Sequence, residues 1–179
     1  MNAKTNSLVF IFLNVIAWII FVGLSIEAAA LVVNFAFSLF KPEVVSNLYQ
    51  KLDMSVMYNE SRVSYFSMYS FILAVAILKA YLFYVVIRLL MKLDLTRPFN
   101  SFVAQQITSI SYYTLMIGFL GALAKAVSKG LEKRGIETSH LDHFWADSSA
   151  FIFMGAVIYV IANIFRRGME IQNENDLTI

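Results

Sequence analysis

Four apolar runs decide what this chain can fold into. They occupy residues 8–31 (with an extension open to 40), 63–90, 107–127 and 144–165. Crossing the hydrocarbon core of a bilayer as a helix takes about 20 apolar residues. Backbone amides find no water in lipid, so a crossing segment must bond internally as a helix or close into a barrel. The alternation of barrel strands is missing here. The sequence therefore predicts an all-α membrane protein, with four transmembrane helices in a bundle. One membrane domain spans 1–179, and its C-terminal tail, 166–179, is polar. The first partner of such a chain is the lipid bilayer. Only 15% of its residues are charged, against about 25% in a soluble domain.

Composition also closes several functional classes. A net charge of +2 supplies no basic field for direct nucleic-acid binding. The absence of Cys removes disulfides, thiol catalysis and Cys-based metal or iron–sulfur centres. The first run is too long for a signal-peptide core and carries no small-residue cleavage site. It is therefore expected to be retained.

An even number of spans places both termini on one side. Basic residues divide almost evenly between the two sides, so their number does not orient the chain. Their position is more telling. Arg88, Lys92, Arg97, Arg166 and Arg167 sit tightly against span ends on the side of the termini. That side is read as cytoplasmic.

The connections carry local signals. After Pro42, residues Val44, Val45, Leu48 and Leu52 recur at helical spacing, which predicts a short amphipathic helix at the membrane surface in the first outer loop. Pro98 stops one element and Asn100 is placed to cap the third helix. Ser139 followed by Asp142 is a capping-box pattern, so the fourth helix is expected to start near His140. Gly118 and Ala122, widened by Gly121 and Ala126, make a smooth patch in the third span. Such a patch allows close packing inside the bundle or between copies in a homo-oligomer.

Ionisable residues inside a span cost about 2.5–3.5 kcal/mol on insertion scales, so each needs a reason. Glu27, Lys125 and Asp147 are expected at one level near the outer side, where they could form an intramembrane charge cluster. Lys79 lies deeper, at the level of Asn14, and the two form a predicted inner polar pair. These residues either orient the bundle or line a polar cavity. His140, His143 and Asp147 would share one helical face if a helix began at His140, and two imidazoles with a carboxylate can bind a divalent metal. A capping turn with surface histidines explains the same residues, and no metal is favoured. No His lies deep enough to hold a haem, and no cofactor is expected. No nucleophile–base pair, phosphate-binding glycine loop or catalytic carboxylate pair can be located. The chain is therefore expected not to be an enzyme.

The ending "RRGMEIQNENDLTI" resembles that of a bacterial membrane-protein family, domain of unknown function 2975. Its members end in a Gly, a short acidic or amide run and Asp-Leu-Thr-Val/Ile. Here these are Gly168, Gln172 to Asn175, and Asp176, Leu177, Thr178 and Ile179. The inner turn is also similar, with Pro98, Phe99 and Asn100. The resemblance implies a protein of the bacterial cytoplasmic membrane without established catalytic activity. Members are often encoded beside a small helix-turn-helix transcription regulator, which implies a regulatory or scaffolding role with a cytoplasmic partner. Pro98, Phe99, Asp176, Leu177 and Thr178 are then the partner-binding candidates. The tail is expected to bend at Gly168 and pack near the inner turn. The competing function is a small channel or transporter component using Glu27, Lys79 and Asp147.

Overall fold

The computed structural model describes residues 3–93 and 100–176. The fold is all-α, as the apolar runs require. Four long helices pack on one another: α1 (Ala3–Phe40), α3 (Arg62–Lys92), α4 (Ser101–Glu132) and α5 (Ser148–Asp176). All four runs of chain are long and apolar enough to cross a membrane. A six-residue helix, α2 (Ser55–Glu60), lies between α1 and α3. We call the end with the α1–α3 and α4–α5 connections the cap end. The end with both termini is the tail end.

Helix ends follow local chemistry. Asn100 caps α4 as its sequence position predicts, its side chain accepting from Val103 N at 2.9 Å. Ser61 caps α3 through Ser64 N. α4 ends where Gly135 takes φ +88°, a left-handed turn that glycine adopts without penalty.

The expected start of the fourth helix is corrected. Residues Ser139–Phe144 form a 3-10 turn, and α5 begins only at Ser148. The Ser139–Asp142 capping box is not made. Ser139 Oγ instead donates to Glu137 (3.2 Å), and Asp142 accepts from the Trp145 indole (3.3 Å). The segment is held by Thr138, buried against α4, whose hydroxyl meets Ser128 Oγ at 2.6 Å and Glu132 at 2.8 Å.

The first loop is also different from the surface helix expected. It is helical in short pieces, with 3-10 turns at Pro42–Ser46 and Tyr49–Lys51 followed by α2. Val45, Leu48 and Leu52 are buried in the protein core rather than laid into headgroups. They join Met54, Met57, Leu141 and Trp145 in one apolar cluster with Leu31 of α1 and Tyr65, Met68, Tyr69 and Ile72 of α3. The cap end therefore has a packed core of its own.

Each long helix packs on its neighbour in chain order: α1 on α3, α3 on α4, and α4 on α5, the last being the most extensive contact. Lipid is as apolar as leucine, so helices associate through close packing and interhelical hydrogen bonds rather than through exclusion from water. The α4–α5 face has both. A Cβ on Gly118 would lie 2.7 Å from Ile152 N, and one on Gly155 would lie 2.9 Å from Leu115 N. Ser111 Oγ donates to the Gly155 carbonyl at 2.9 Å. Gly118 and Gly121 thus serve the contact with α5 inside one chain. They are not open to a second copy, and of the expected oligomer patch only Ala122 and Ala126 are exposed.

The α1–α3 contact offers a clean test of buried hydroxyls. Tyr69 donates to the Leu31 carbonyl at 3.1 Å and stacks on Phe35. Among the described residues the neighbouring Tyr65 hydroxyl is buried and makes no hydrogen bond of good geometry. Ser38, which faces it, donates to the Phe35 carbonyl instead. Tyr69→Phe is expected to lower stability by about 1 kcal/mol, whereas Tyr65→Phe removes an unpaired polar group and should leave stability equal or higher. Thermal unfolding in detergent reads both. Equal losses would show that the Tyr69 bond contributes nothing.

Candidate functional site

A hollow lined by charged, imidazole and aromatic side chains lies at the cap end. Tyr49, Lys51, Leu52 and Asp53 from the first loop face His140, His143 and Phe144 from the second, around a volume of about 400 Å³. The first wall is fixed by backbone bonds: Leu48 N donates to Leu52 O (2.9 Å) and Met54 N to Val45 O (3.0 Å). Lys51 turns the chain with φ +60°. For a residue with a side chain this conformation is uncommon and persists only where its surroundings impose it. Asp53 Oδ1 accepts from Ser55 N at 2.9 Å, at the start of α2. Hydrogen bonds from the Ser55 hydroxyl and then its amide hold the Asp53 carboxyl below the usual carboxylate range, and His140 adds a smaller pull the same way. On the second wall, His143 Nδ1 lies 2.9 Å from the His140 carbonyl, and its ring lies 4.0 Å from that of Phe144. The buried indole of Trp145 lies 6.1 Å from the Phe144 ring, centroid to centroid. Two imidazoles, a carboxylate, an ammonium and two aromatic rings therefore face one space. Such a set can bind a small polar molecule by hydrogen bonds and stacking.

The histidines were legible in the sequence, but their grouping was not. His140, His143 and Asp147 do not share a helical face, because 139–144 is a 3-10 turn and Asp147 precedes α5. Among the described residues no three His, Asp or Glu side chains gather to hold a metal. Asp53, Tyr49 and Lys51 were missed, because no local pattern announces their approach to a loop far along the chain.

The predicted charge cluster is corrected as well. Among the described residues Glu27, Lys125 and Asp147 form no ion pair. The reason is helix order, since α3 stands between α1, which carries Glu27, and α4, which carries Lys125. Lys125 is exposed beside Lys129, Ala146 and Ser149 in a separate hollow. The Asn14–Lys79 pair is not formed either. Lys79 reaches instead toward α5, with Nζ 5.8 Å from the Phe151 ring centroid. Lys79 and Asp147 line one crevice between α3, α4 and α5, without Glu27. Its volume is about 10 Å³, room for roughly one water and too little for a permeating solute.

At the tail end, the expected bend at Gly168 does not occur. α5 runs through it to Asp176. A single interior glycine costs a helix only about 1 kcal/mol, and its neighbours outweigh it. Pro98, Phe99, Leu177 and Thr178 lie outside the described residues, and Asp176 is the last residue of the helix. The expected packing of the tail on the inner turn falls on the same undescribed stretches.

Four membrane-length helices under a folded cap, with a polar hollow in that cap, define an all-helical integral membrane protein. The chain belongs to DUF2975, a family described as protein of unknown function, whose model matches residues 47–179. The match takes in most of the cap, helices α2 to α5 and the tail, and leaves α1 outside it. No curated protein and no solved structure matches the chain.

Proposed function

We propose that the chain is a non-enzymatic regulatory or scaffolding protein of the bacterial cytoplasmic membrane, with both termini in the cytoplasm. It docks a soluble partner, such as a helix-turn-helix transcription regulator, on the tail end of α5. The observation that carries this reading is the length of that helix. Residues 148–165 give about 27 Å at roughly 1.5 Å per residue, close to the hydrocarbon core of about 30 Å. Residues 166–176 add about 16 Å more at the same rise, which crossing the bilayer does not require. Arg167, Glu170 and Ile171 are exposed on this extension, Ile171 at 59%. An isoleucine held on a polar arm beyond the lipid suits a groove on another protein. The same helix begins four residues after Phe144, which lines the cap hollow. A rigid rod therefore joins a small-molecule-sized space on one side to a docking arm on the other, an arrangement fit for signalling.

The test uses the full chain in lipid vesicles and a purified helix-turn-helix regulator from the same genome. The regulator is expected to sediment with the vesicles. Ile171→Glu is expected to weaken binding at least tenfold, roughly the effect of one central interface side chain, with an unchanged melting temperature. No sedimentation with the native chain, or undiminished binding to the variant, would refute the reading.

A further inference from the structure

We infer that a groove along α4 and α5 holds one anionic glycerophospholipid of the tail-end leaflet. Its phosphate sits at Arg166, and an acyl chain runs along Tyr112, Met116 and Phe119. Two hollows meet there. One, of about 400 Å³, is lined by Ser101, Gln105, Thr108 and Arg166 among others. The next, of about 510 Å³, is lined by Leu115, Met116 and Phe119. Ser109 and Tyr112 border both, so the two form one groove.

Its chemistry changes along its length as a lipid does. Hydroxyls, an amide and a guanidinium occupy the tail end, and an apolar trough continues toward the middle of the helix. From Gln105 to Phe119 the groove runs about 21 Å at roughly 1.5 Å per residue. Half a bilayer, headgroups included, measures about 20–22 Å. Tyr112, Met116 and Phe119 are each about half exposed, and Tyr159 flanks Tyr112 at 6.2 Å between ring centroids. Among the described residues Arg166 has no carboxylate partner. An unpaired guanidinium at headgroup level offers two parallel donors to a phosphate. Charge therefore selects an anionic lipid, and the trough selects a lipid over a free anion.

The experiment measures thermal stability of the purified full chain after exhaustive detergent exchange. Phosphatidylglycerol, phosphatidylcholine or inorganic phosphate is then added. Phosphatidylglycerol is expected to raise the melting temperature saturably, and native mass spectrometry is expected to show one retained lipid. Phosphatidylcholine should require at least fivefold more lipid for half the effect, and inorganic phosphate should give none. Arg166→Gln is expected to bring the response to phosphatidylglycerol down to that of phosphatidylcholine, whereas Arg167→Gln keeps the difference. Equal responses to the two lipids, an equal effect of inorganic phosphate, or an Arg166→Gln protein that still prefers phosphatidylglycerol would overturn the assignment. Because Arg166 is exposed, its replacement leaves folding intact. The mass-spectrometric count remains a readout independent of stability.

Discussion

Replacing Gly155 with leucine is expected to destabilise the protein by about 3 kcal/mol or more, the upper range for overpacking a tight contact. A loss of that size lowers the melting temperature by about 6–12 °C in a chain of this length. The cause is backbone against backbone. A Cβ at Gly155 would meet Leu115 Cγ at 2.7 Å and Leu115 N at 2.9 Å. The leucine side chain could rotate away, but the amide of α4 cannot. α5 would have to lift off α4, breaking the bond from Ser111 to the Gly155 carbonyl. Gly23 provides the control, since nothing lies within 4 Å of a Cβ placed there. Gly23→Leu should cause no loss and gain up to about 1 kcal/mol from helix propensity. Helix propensity favours leucine at both sites, so comparable losses at the two glycines would mean that the added side chain itself, not the α4–α5 contact, sets the cost.

That contact shows what a sequence of this kind carries. The small residues of the third span signalled close approach, and Gly118 and Gly121 do touch a neighbour. The identity of the neighbour, α5 of the same chain, was not written in the span. The four crossings were legible because hydropathy is a property of each run alone. The Asn100 cap was legible because its partner, Val103 N, is three residues away. The charge cluster failed for the converse reason. Counting residues along a helix gives depth but not azimuth or helix order, and α3 keeps Glu27 from Lys125. The start of α5 failed because Ser139 and Asp142 imitate a cap, while the anchor is Thr138, buried against Ser128 and Glu132. The cap hollow draws on both loops, so only its histidines could be singled out beforehand.

Trp145 is the bulkiest fully buried side chain among the described residues, and Trp145→Ala is expected to cost about 3–5 kcal/mol, the range for deleting a buried aromatic. Trp145 is 2% exposed. It belongs to the cluster that joins both loops to α1 and α3, and it borders the crevice that contains Lys79 and Asp147. Its indole donates to Asp142 at 3.3 Å, and its carbonyl accepts from Ser148 at the start of α5. Removing the ring empties the space behind Phe144 and frees the turn that presents His140 and His143. Trp145→Phe separates the contributions. It keeps most of the apolar body and loses the indole bond, so it should cost about 1 kcal/mol for that bond plus a smaller packing loss. Trp18 is the counterpart on α1, 45% exposed, and Trp18→Ala should cost well under half as much as Trp145→Ala. The chain contains two tryptophans, so a Trp18→Phe background isolates the emission of Trp145. Its emission should be blue-shifted in the folded protein and move to the red on unfolding. A Trp145→Ala protein that melts with the native one would mean that the two loops hold together without this ring, and that the cap core lies elsewhere.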